Sequence, residues 1–326
     1  MGNLHLVNHI KHPHLQSDST LHVIGVVSNP VRWHSRMRLF KEWKNRMLQT
    51  PNVRLYVVEG LYGDRHPECA PEPGESYEFM TVKLNSEMWL KENMINIGVE
   101  NMFPSDWKYM CWCDCDVEFL DNGWALGAIQ QLQHYNIIQP WSHALDLDFH
   151  GGVHQTFKSF GFLCATHKPM HHGNNPAGAY DYAHTGYVWA CNRYFWENVK
   201  GLVDWCIIGS GDHHMAWSCV GKIEETIHSK VNDDYKLACR LWQDKAKWAA
   251  AGIVGYLHGT IKHGFHGHKV NRKYWDRWNI ILKHNYSPTK DLAYDAQGVL
   301  QFIGAAKPEI DQLFMRYNRE RAEDAV

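Results

Sequence analysis

Between Tyr109 and Phe119 the chain reads YMCWCDCDVEF, an apolar run that passes straight into two carboxylates. Side chains of a strand alternate between its faces. An extended backbone here therefore puts Asp114 and Asp116 on one face and Cys111, Cys113 and Cys115 on the other. The body of such a strand belongs in a buried sheet, and its charged tip belongs at the sheet's carboxyl edge, where ligands of α/β folds gather. Two hard oxygen donors aimed the same way suit Mg²⁺ or Mn²⁺ bridging the phosphates of a nucleotide. Asp-x-Asp by itself also reads as an acidic turn; its place after two βα units is what favours the ligand reading.

Those units are legible upstream. Leu21 to Ser28 (LHVIGVVS) is a β-branched strand closed by Asn29 and Pro30. From Trp33 to Leu48, Trp33, Met37, Phe40, Trp43 and Met47 recur at helical spacing, with Arg32, Arg36, Arg38, Lys41 and Lys44 among the remainder. Val53 to Val58 gives a second strand. Ser86 is an N-cap for a helix from Glu87 to about Ile97 that stops at Gly98, and Trp107 to Cys113 is a third strand. Alternating strand and helix predicts an α/β fold, a mixed but mainly parallel sheet flanked by helices. Phe149 to His184, rich in Gly, His, Asn and Pro, reads as a long functional loop, and Glu224 to Ala251 reads as helix. The expected organisation is an extension over 1–20, a nucleotide-binding half over 21–121, a catalytic and acceptor half over 122–287, and a helical appendage over 288–326.

Charge is patterned more than its sum of -2 suggests. Met1 to Leu48 carries seven Lys/Arg and two acids, Glu59 to Asp121 fourteen acids and four Lys/Arg, and Lys262 to Lys283 six Lys/Arg and one acid. An acidic middle with basic flanks can hold a divalent cation and close around an anion. Nine cysteines without a Cys-x-x-Cys pair do not form a disulfide framework, and Cys191 and Cys219 lie in apolar runs as small core residues. No run is apolar and long enough for a membrane span, and Met1 to Ser19 has no apolar signal core, so a cytoplasmic location is expected, with no membrane and no obligate protein partner.

Two further segments carry chemistry. Ile207 to Trp217 (IIGSGDHHMAW) reads as a strand, a Gly-Ser-Gly turn and then Asp212 at a helix start, where a carboxylate can take a proton from an attacking hydroxyl or cap the helix. His213 and His214 would shape the pocket. Tyr256 to Leu282 gathers His258, His263, His266 and His268 with Lys269, Arg272, Lys273 and Arg277 among Tyr and Trp. That mixture suits a metal-bound diphosphate, and equally a nucleic-acid surface or cations packed over Trp275 and Trp278.

With these residues in hand, the chain resembles a metal-dependent glycosyltransferase of the GT-A fold, of a group found in bacteriophages and bacteria and related to inverting galactosyltransferase-like enzymes. The carriers are VVSNP (Val26 to Pro30), WLKENMINIG (Trp89 to Gly98), DCD (Asp114 to Asp116), HTGYVWA (His184 to Ala190), GSGDHHM (Gly209 to Met215), and HGFHGHK with RKYWDRW (His263 to Trp278). The resemblance implies a UDP-sugar donor and Mn²⁺ or Mg²⁺. It places Asn29, Pro30 and Arg32 in the nucleotide pocket, with Glu59 at the base or ribose. Lys91, Glu92 and Asn93 would lie by the diphosphate and donor sugar, with Gly186 beneath the sugar and Gly211 beside it. Lys269 and Arg272 would meet the diphosphate. Asp114 would bind ribose or metal through water and Asp116 the metal directly, with His266 as third ligand and His263 as its substitute. Asp212 would be the base of an inverting transfer. His171, His172, Asn174, Asn175 and His213 would read the acceptor, for which relatives suggest a hydroxylated or hydroxymethylated pyrimidine in double-stranded DNA, with a glycan or protein as the alternative. Outside this class stand a zinc hydrolase built on His263, His266, His268 and Asp212, and a non-catalytic binding module.

Overall fold

The computed structural model describes residues 19–168, 170, 183–304 and 307–325. β1 (Leu21–Ser28) is buried over almost its whole length, as its β-branched run requires. In chain order it is followed by β2 (Val53–Tyr62), β3 (Glu78–Leu84), β4 (Tyr109–Cys113), β5 (Val117–Phe119), β6 (Ile137–Gln139) and β7 (His143–Leu147). Then come β8 (Val153–Ser159), β9 (Ala183–His184), β10 (Val188–Asn192), β11 (Gly255–Tyr256), β12 (Thr260–His263), β13 (Leu292–Tyr294) and β14 (Leu300–Phe302). The helices are α1 (His34–Gln49), α2 (Lys91–Met102), α3 (Trp124–Gln131), α4 (Phe160–Ala165), α5 (Arg193–Val199), α6 (Gly211–Cys219), α7 (Asp233–Ala249), α8 (Trp278–Leu282), α9 (Pro288–Asp291) and α10 (Lys307–Glu320).

The central sheet has the order β11-β6-β10-β4-β1-β2-β3. β1 is parallel to β2 and β4, β2 to β3, and β6 to β11, while β10 runs against both its neighbours. Strand alternation divides the core between the two faces. Ile24, Tyr56 and Val58 pack with α2, α5, α6 and α7, and Val23, Leu55 and Val57 pack with α1 and α3. The chain leaves β1 for β2 on one side and returns to its other side as β4, so the carboxyl ends of β1 and β4 flank the crevice at a topological switch point. The sheet draws strands from both sides of position 121, joining the two expected halves into one layer.

A second sheet, β5-β12-β7-β8-β9, stands next to that crevice. Its register places His263 of β12 opposite Val117 of β5 and Asp146 of β7. The turn joining β4 to β5 is thereby held between the sheets, with Asp114 N donating to Tyr187 O (2.9 Å) and Gly264 N to Asp116 O (2.9 Å).

Several sequence expectations need correction. β4 ends at Cys113, so Asp114 and Asp116 stand in a turn instead of sharing a strand face. The helix expected over 87–97 is α2, which starts at Lys91 and runs through Gly98. Gly98 is no stop signal: a Cβ there would lie 2.5 Å from Ile24 and 2.7 Å from Val58, so the residue lets α2 press on the sheet. Ser86 does not cap that helix; its hydroxyl donates to Asp311. In place of the expected strand, Ile207 forms only an isolated bridge with Gly209, and the helix expected from Glu224 begins at Asp233, capped by Asn232. The expected loop over 149–184 contains β8 and α4. The appendage contains the β13–β14 hairpin, bound to α2 through Asn93, which donates to Gly298 O and accepts from Leu300 N.

Candidate active site

A cavity of about 940 Å³ opens at the carboxyl ends of β1 and β4. Asp114, Asp116, Gly186, Asp212, His263 and His266 all line it. The register of the second sheet accounts for one corner. Asp116 precedes β5, His263 ends β12, and the loop after β12 returns His266 beside them. His266 Nε2 lies 3.0 Å and His263 Nε2 3.5 Å from Asp116 Oδ2, and the two Nε2 atoms are 3.3 Å apart. These three residues form a group able to hold a metal ion, with donor atoms within 4.8 Å of one another.

Three observations fit a cation there. Asp116 Oδ1 is buried without a hydrogen-bond partner, which is costly unless something binds it. Each imidazole directs Nε2 at the shared oxygen and Nδ1 at a buried carboxylate: His263 Nδ1 lies 2.5 Å from Asp146 and His266 Nδ1 3.6 Å from Glu323. A carboxylate behind a metal-binding imidazole fixes its tautomer and raises its basicity. Finally, Arg272 Nη2 donates to His266 Nε2 (2.9 Å), a positive group at the nitrogen a metal would take. Burial disfavours charge on Asp116, yet His263 and His266 outweigh it and hold the carboxyl well below its ordinary range. Against burial, Asp116 and Asp146 raise His263 to about 9.

Asp114 has different company. Its carboxylate accepts from Lys91 Nζ, and Asp114 is not in the three-residue group. Burial lifts its carboxyl above the usual range, with Lys91 opposing and Asp116 reinforcing. Lys91 opens α2, whose first turn lines the cavity; a helix start with a lysine on it suits phosphate oxygens. Glu92 follows, 4% exposed, accepting from Trp89 Nε1 at 3.0 Å. Burial, opposed by Lys91 and reinforced by Asp212, lifts it to about 7. Cys113 and Cys115 alternate with the aspartates, but Cys113 Sγ accepts from Trp43 Nε1 (3.2 Å) and burial pushes its thiol far up.

At the other corner, Ser210 holds a left-handed φ of 79°, unusual for a residue with a Cβ, immediately before α6. Arg277 Nη2 donates to Ser210 Oγ (2.9 Å) and steadies that turn. Asp212 in the first turn of α6 accepts from His213 N through Oδ1 (2.9 Å), leaving Oδ2 toward Gly186. A Cβ on Gly186 would stand 3.2 Å from that oxygen and 3.0 Å from His184 Cε1, so the absent side chain keeps the space beside Asp212 open.

Not every expected residue joins the cavity. Pro30, Lys91, His213, Lys269 and Arg272 line it, whereas Asn29, Arg32, Glu59, Asn93 and Gly211 do not. The side chains among these are engaged elsewhere. Asn29 bonds the backbone of Trp33, Arg32 lies 3.8 Å from Glu68, Glu59 accepts from Glu68 N and Cys69 N, and Asn93 ties α2 to the hairpin. Gly211 packs against Glu92, whose carboxyl carbon a Cβ would approach to 3.2 Å. Lys269 pairs with Asp146, and His268 is exposed and outside the metal-capable group. His171, His172, Asn174 and Asn175 lie outside the described residues. Asp146, Arg36 and Glu323 were not anticipated. Asp146 sits in an ordinary alternating strand and gains its place only through the β7–β12 register; Arg36 reads as one more surface cation of α1; Glu323 carries no local signal at all.

No family model matches the chain, and no curated protein matches it. Among solved structures, S. aureus TarS (residues 1–349) is 10% identical, with 82% of this chain and 65% of that one covered, at a TM-score of 0.41. The catalytic domain of Drosophila β1,4-galactosyltransferase 7 with xylobiose is 11% identical over 90% of this chain and 99% of that one, at 0.37. A mutant of the same Drosophila enzyme, in complex with manganese, UDP-Gal and xylobiose, is 10% identical over 90% and 99%, at 0.39. At these TM-scores the likeness carries no argument about this chain, whose chemistry rests on its own side chains. Among the described residues no helix is long and apolar enough to cross a membrane.

Proposed function

We propose that the chain is a metal-dependent glycosyltransferase of GT-A type that moves a sugar from a UDP-sugar to an acceptor hydroxyl with inversion. The observation that carries this reading is the Asp116, His263 and His266 group with its unpartnered Asp116 Oδ1, set at the sheet's switch point in one cavity with Lys91, Arg272 and Asp212. Mn²⁺ or Mg²⁺ held by Asp116, His263 and His266 would neutralise the diphosphate as it gains negative charge. Lys91, with Asp114 as its counter-ion, and Arg272 present further positive charge to that leaving group. Asp212 Oδ2 takes the proton of the attacking hydroxyl in the space that Gly186 leaves open, on the far side of the anomeric carbon from the nucleotide. Displacement in one step needs no covalent intermediate on the protein. Glu92, near neutrality, can offer a proton to a hydroxyl of the donor sugar.

For the acceptor we favour a pyrimidine hydroxyl in DNA. Trp275, 79% exposed, and Tyr274 stand with Lys273 and Arg277 at the cavity, a mixture of flat rings and cations that suits bases and phosphates. Incubating the chain with UDP-sugars, Mn²⁺ and hydroxymethylated, hydroxylated or plain DNA, followed by nucleoside mass spectrometry, tests this; a sugar adduct on the hydroxylated DNA alone is the expected result. Transfer only to glycans or proteins would move the acceptor class, and UDP-sugars left intact with every acceptor would refute the activity. Two imidazoles and one carboxylate would also suit Zn²⁺ in a hydrolase. Tight zinc binding without affinity for UDP would favour that reading.

A further inference from the structure

The segment that follows α10 is built into the metal-capable corner. Asp324 accepts from His34 N and Ser35 N (2.8 Å each), closing the start of α1. Glu323 is 2% exposed; its carboxylate receives Arg36 Nε at 2.5 Å and Arg36 Nη2 at 2.7 Å, and Arg321 Nε lies 2.7 Å away. Arg36 in turn donates to Ser28 O at the end of β1. Gly267, with φ +83°, admits this segment: a Cβ there would come within 2.8 Å of Glu323 Cα and 3.3 Å of Ala322 O. The loop bearing His266 is therefore shaped to accept Glu323's backbone, and Tyr317 of α10 donates to Arg272 O (3.0 Å) in the same loop.

We propose that Glu323 is the positioning residue of His266, fixing which imidazole nitrogen is presented to a metal ion; the inference rests on the metal-centre reading above. Nε2 faces Arg272 Nη2 (2.9 Å) and Asp116 Oδ2 (3.0 Å), and once it gives its lone pair to a cation the neutral ring's one proton belongs on Nδ1. Nδ1 is buried with no hydrogen-bond partner of ordinary length, and Glu323 Oε2 lies 3.6 Å from it. Arg36 Nε binds that oxygen, and Arg321 Nε lies against the other oxygen of the same carboxylate. When Nε2 gives its lone pair to a cation, the Nδ1 proton becomes more acidic, and a waiting carboxylate holds it without another group having to move. Glu323 thus does for His266 what Asp146 does for His263, from the far end of the chain.

Mn²⁺ binding by the whole chain without nucleotide, followed by calorimetry and by the electron-spin signal of free Mn²⁺, tests this. Glu323→Gln should weaken Mn²⁺ about tenfold or more, within the range seen when the carboxylate behind a metal-binding histidine is lost. In a His266→Ala background the same change should alter affinity by less than about twofold, because its effect passes through that ring. A tenfold loss that persists without His266, or unchanged Mn²⁺ affinity in Glu323→Gln, would overturn the assignment. If the parent chain itself binds no Mn²⁺, the metal-centre reading fails instead. Should Glu323→Gln not fold, Asp324→Ala leaves the buried charges in place and loosens only the anchor on α1. It should weaken Mn²⁺ about threefold, and no change would count against the proposal.

Discussion

The two corners of the cavity are made in different ways. The Asp116 corner is assembled around strands: the β7–β12 register sets Asp146 beside His263, β5 pairs with β12 and so holds Asp116 in the turn just before it, and buried charges lock them. The Asp212 corner is made from a turn, in which Ser210 is held at a left-handed φ and a helix begins at once. The first has many partners per side chain and little room to move. The second keeps one carboxylate oxygen committed and the other beside a glycine. If the proposed function holds, binding and proton removal rest on separate supports and should be separable by substitution.

The sharpest break is Asp212→Asn. It should lower transfer by about 10²–10⁴-fold while UDP affinity in calorimetry stays as in the parent chain; retained turnover would remove Asp212 from the chemistry. Asp116→Ala should do the converse, weakening Mn²⁺-dependent UDP binding by at least about 100-fold, beyond what loss of a supporting carboxylate does. An unchanged titration with Mn²⁺ present would mean that the cation is held elsewhere. Gly186→Ala sharpens the comparison by crowding Asp212 and its neighbour His184, with no residue of the metal-capable group among the atoms it meets. With a Cβ 3.2 Å from Asp212 Oδ2, kcat should fall about tenfold, as for a reacting group misplaced by a fraction of an ångström. Metal affinity should not move, and a loss of Mn²⁺ binding would show that the corners are coupled.

The smallest effect concerns Glu92, which lies between the corners. Its folded-state pKa, raised by burial to about 7, exceeds the ordinary 4.5. The folded chain therefore binds this proton more tightly than the unfolded one, and the stability so gained is present below about 4.5 and is lost as pH rises through about 7. Glu92→Gln should remove that decline, so its melting temperature should gain on the parent's between pH 5 and 8. Parallel melting curves across that window would show that Glu92 titrates normally.

How much of this was legible in sequence follows the same division. β1, α1, β2 and β4 could be read because each carries a complete local period, and the Asp-Cys-Asp turn and the closely spaced histidines announced themselves by residue type. Asp146 and Glu323 could not, since a single acid acquires meaning only when strand register or a returning segment brings it to a histidine. Asn29, Glu59 and Asn93 were the reverse case: polar residues beside a strand end or helix start whose hydrogen bonds go to backbone, a use that sequence pattern does not distinguish from ligand contact. The Gly98 error has a similar source, because a glycine that ends a helix and one that lets a helix touch a sheet look alike until the sheet is in place.

The thiol of Cys113, interleaved with the two aspartates, makes the end of β4 its own reporter. Protonated and turned toward Trp43, it is a poor target for alkylating reagents for as long as the strand stays seated. The rate at which a maleimide eventually reaches it would therefore count the rare openings of this edge. A nucleotide or ion that clamps the neighbouring turn should slow the labelling, giving a chemical clock for occupancy that needs no turnover.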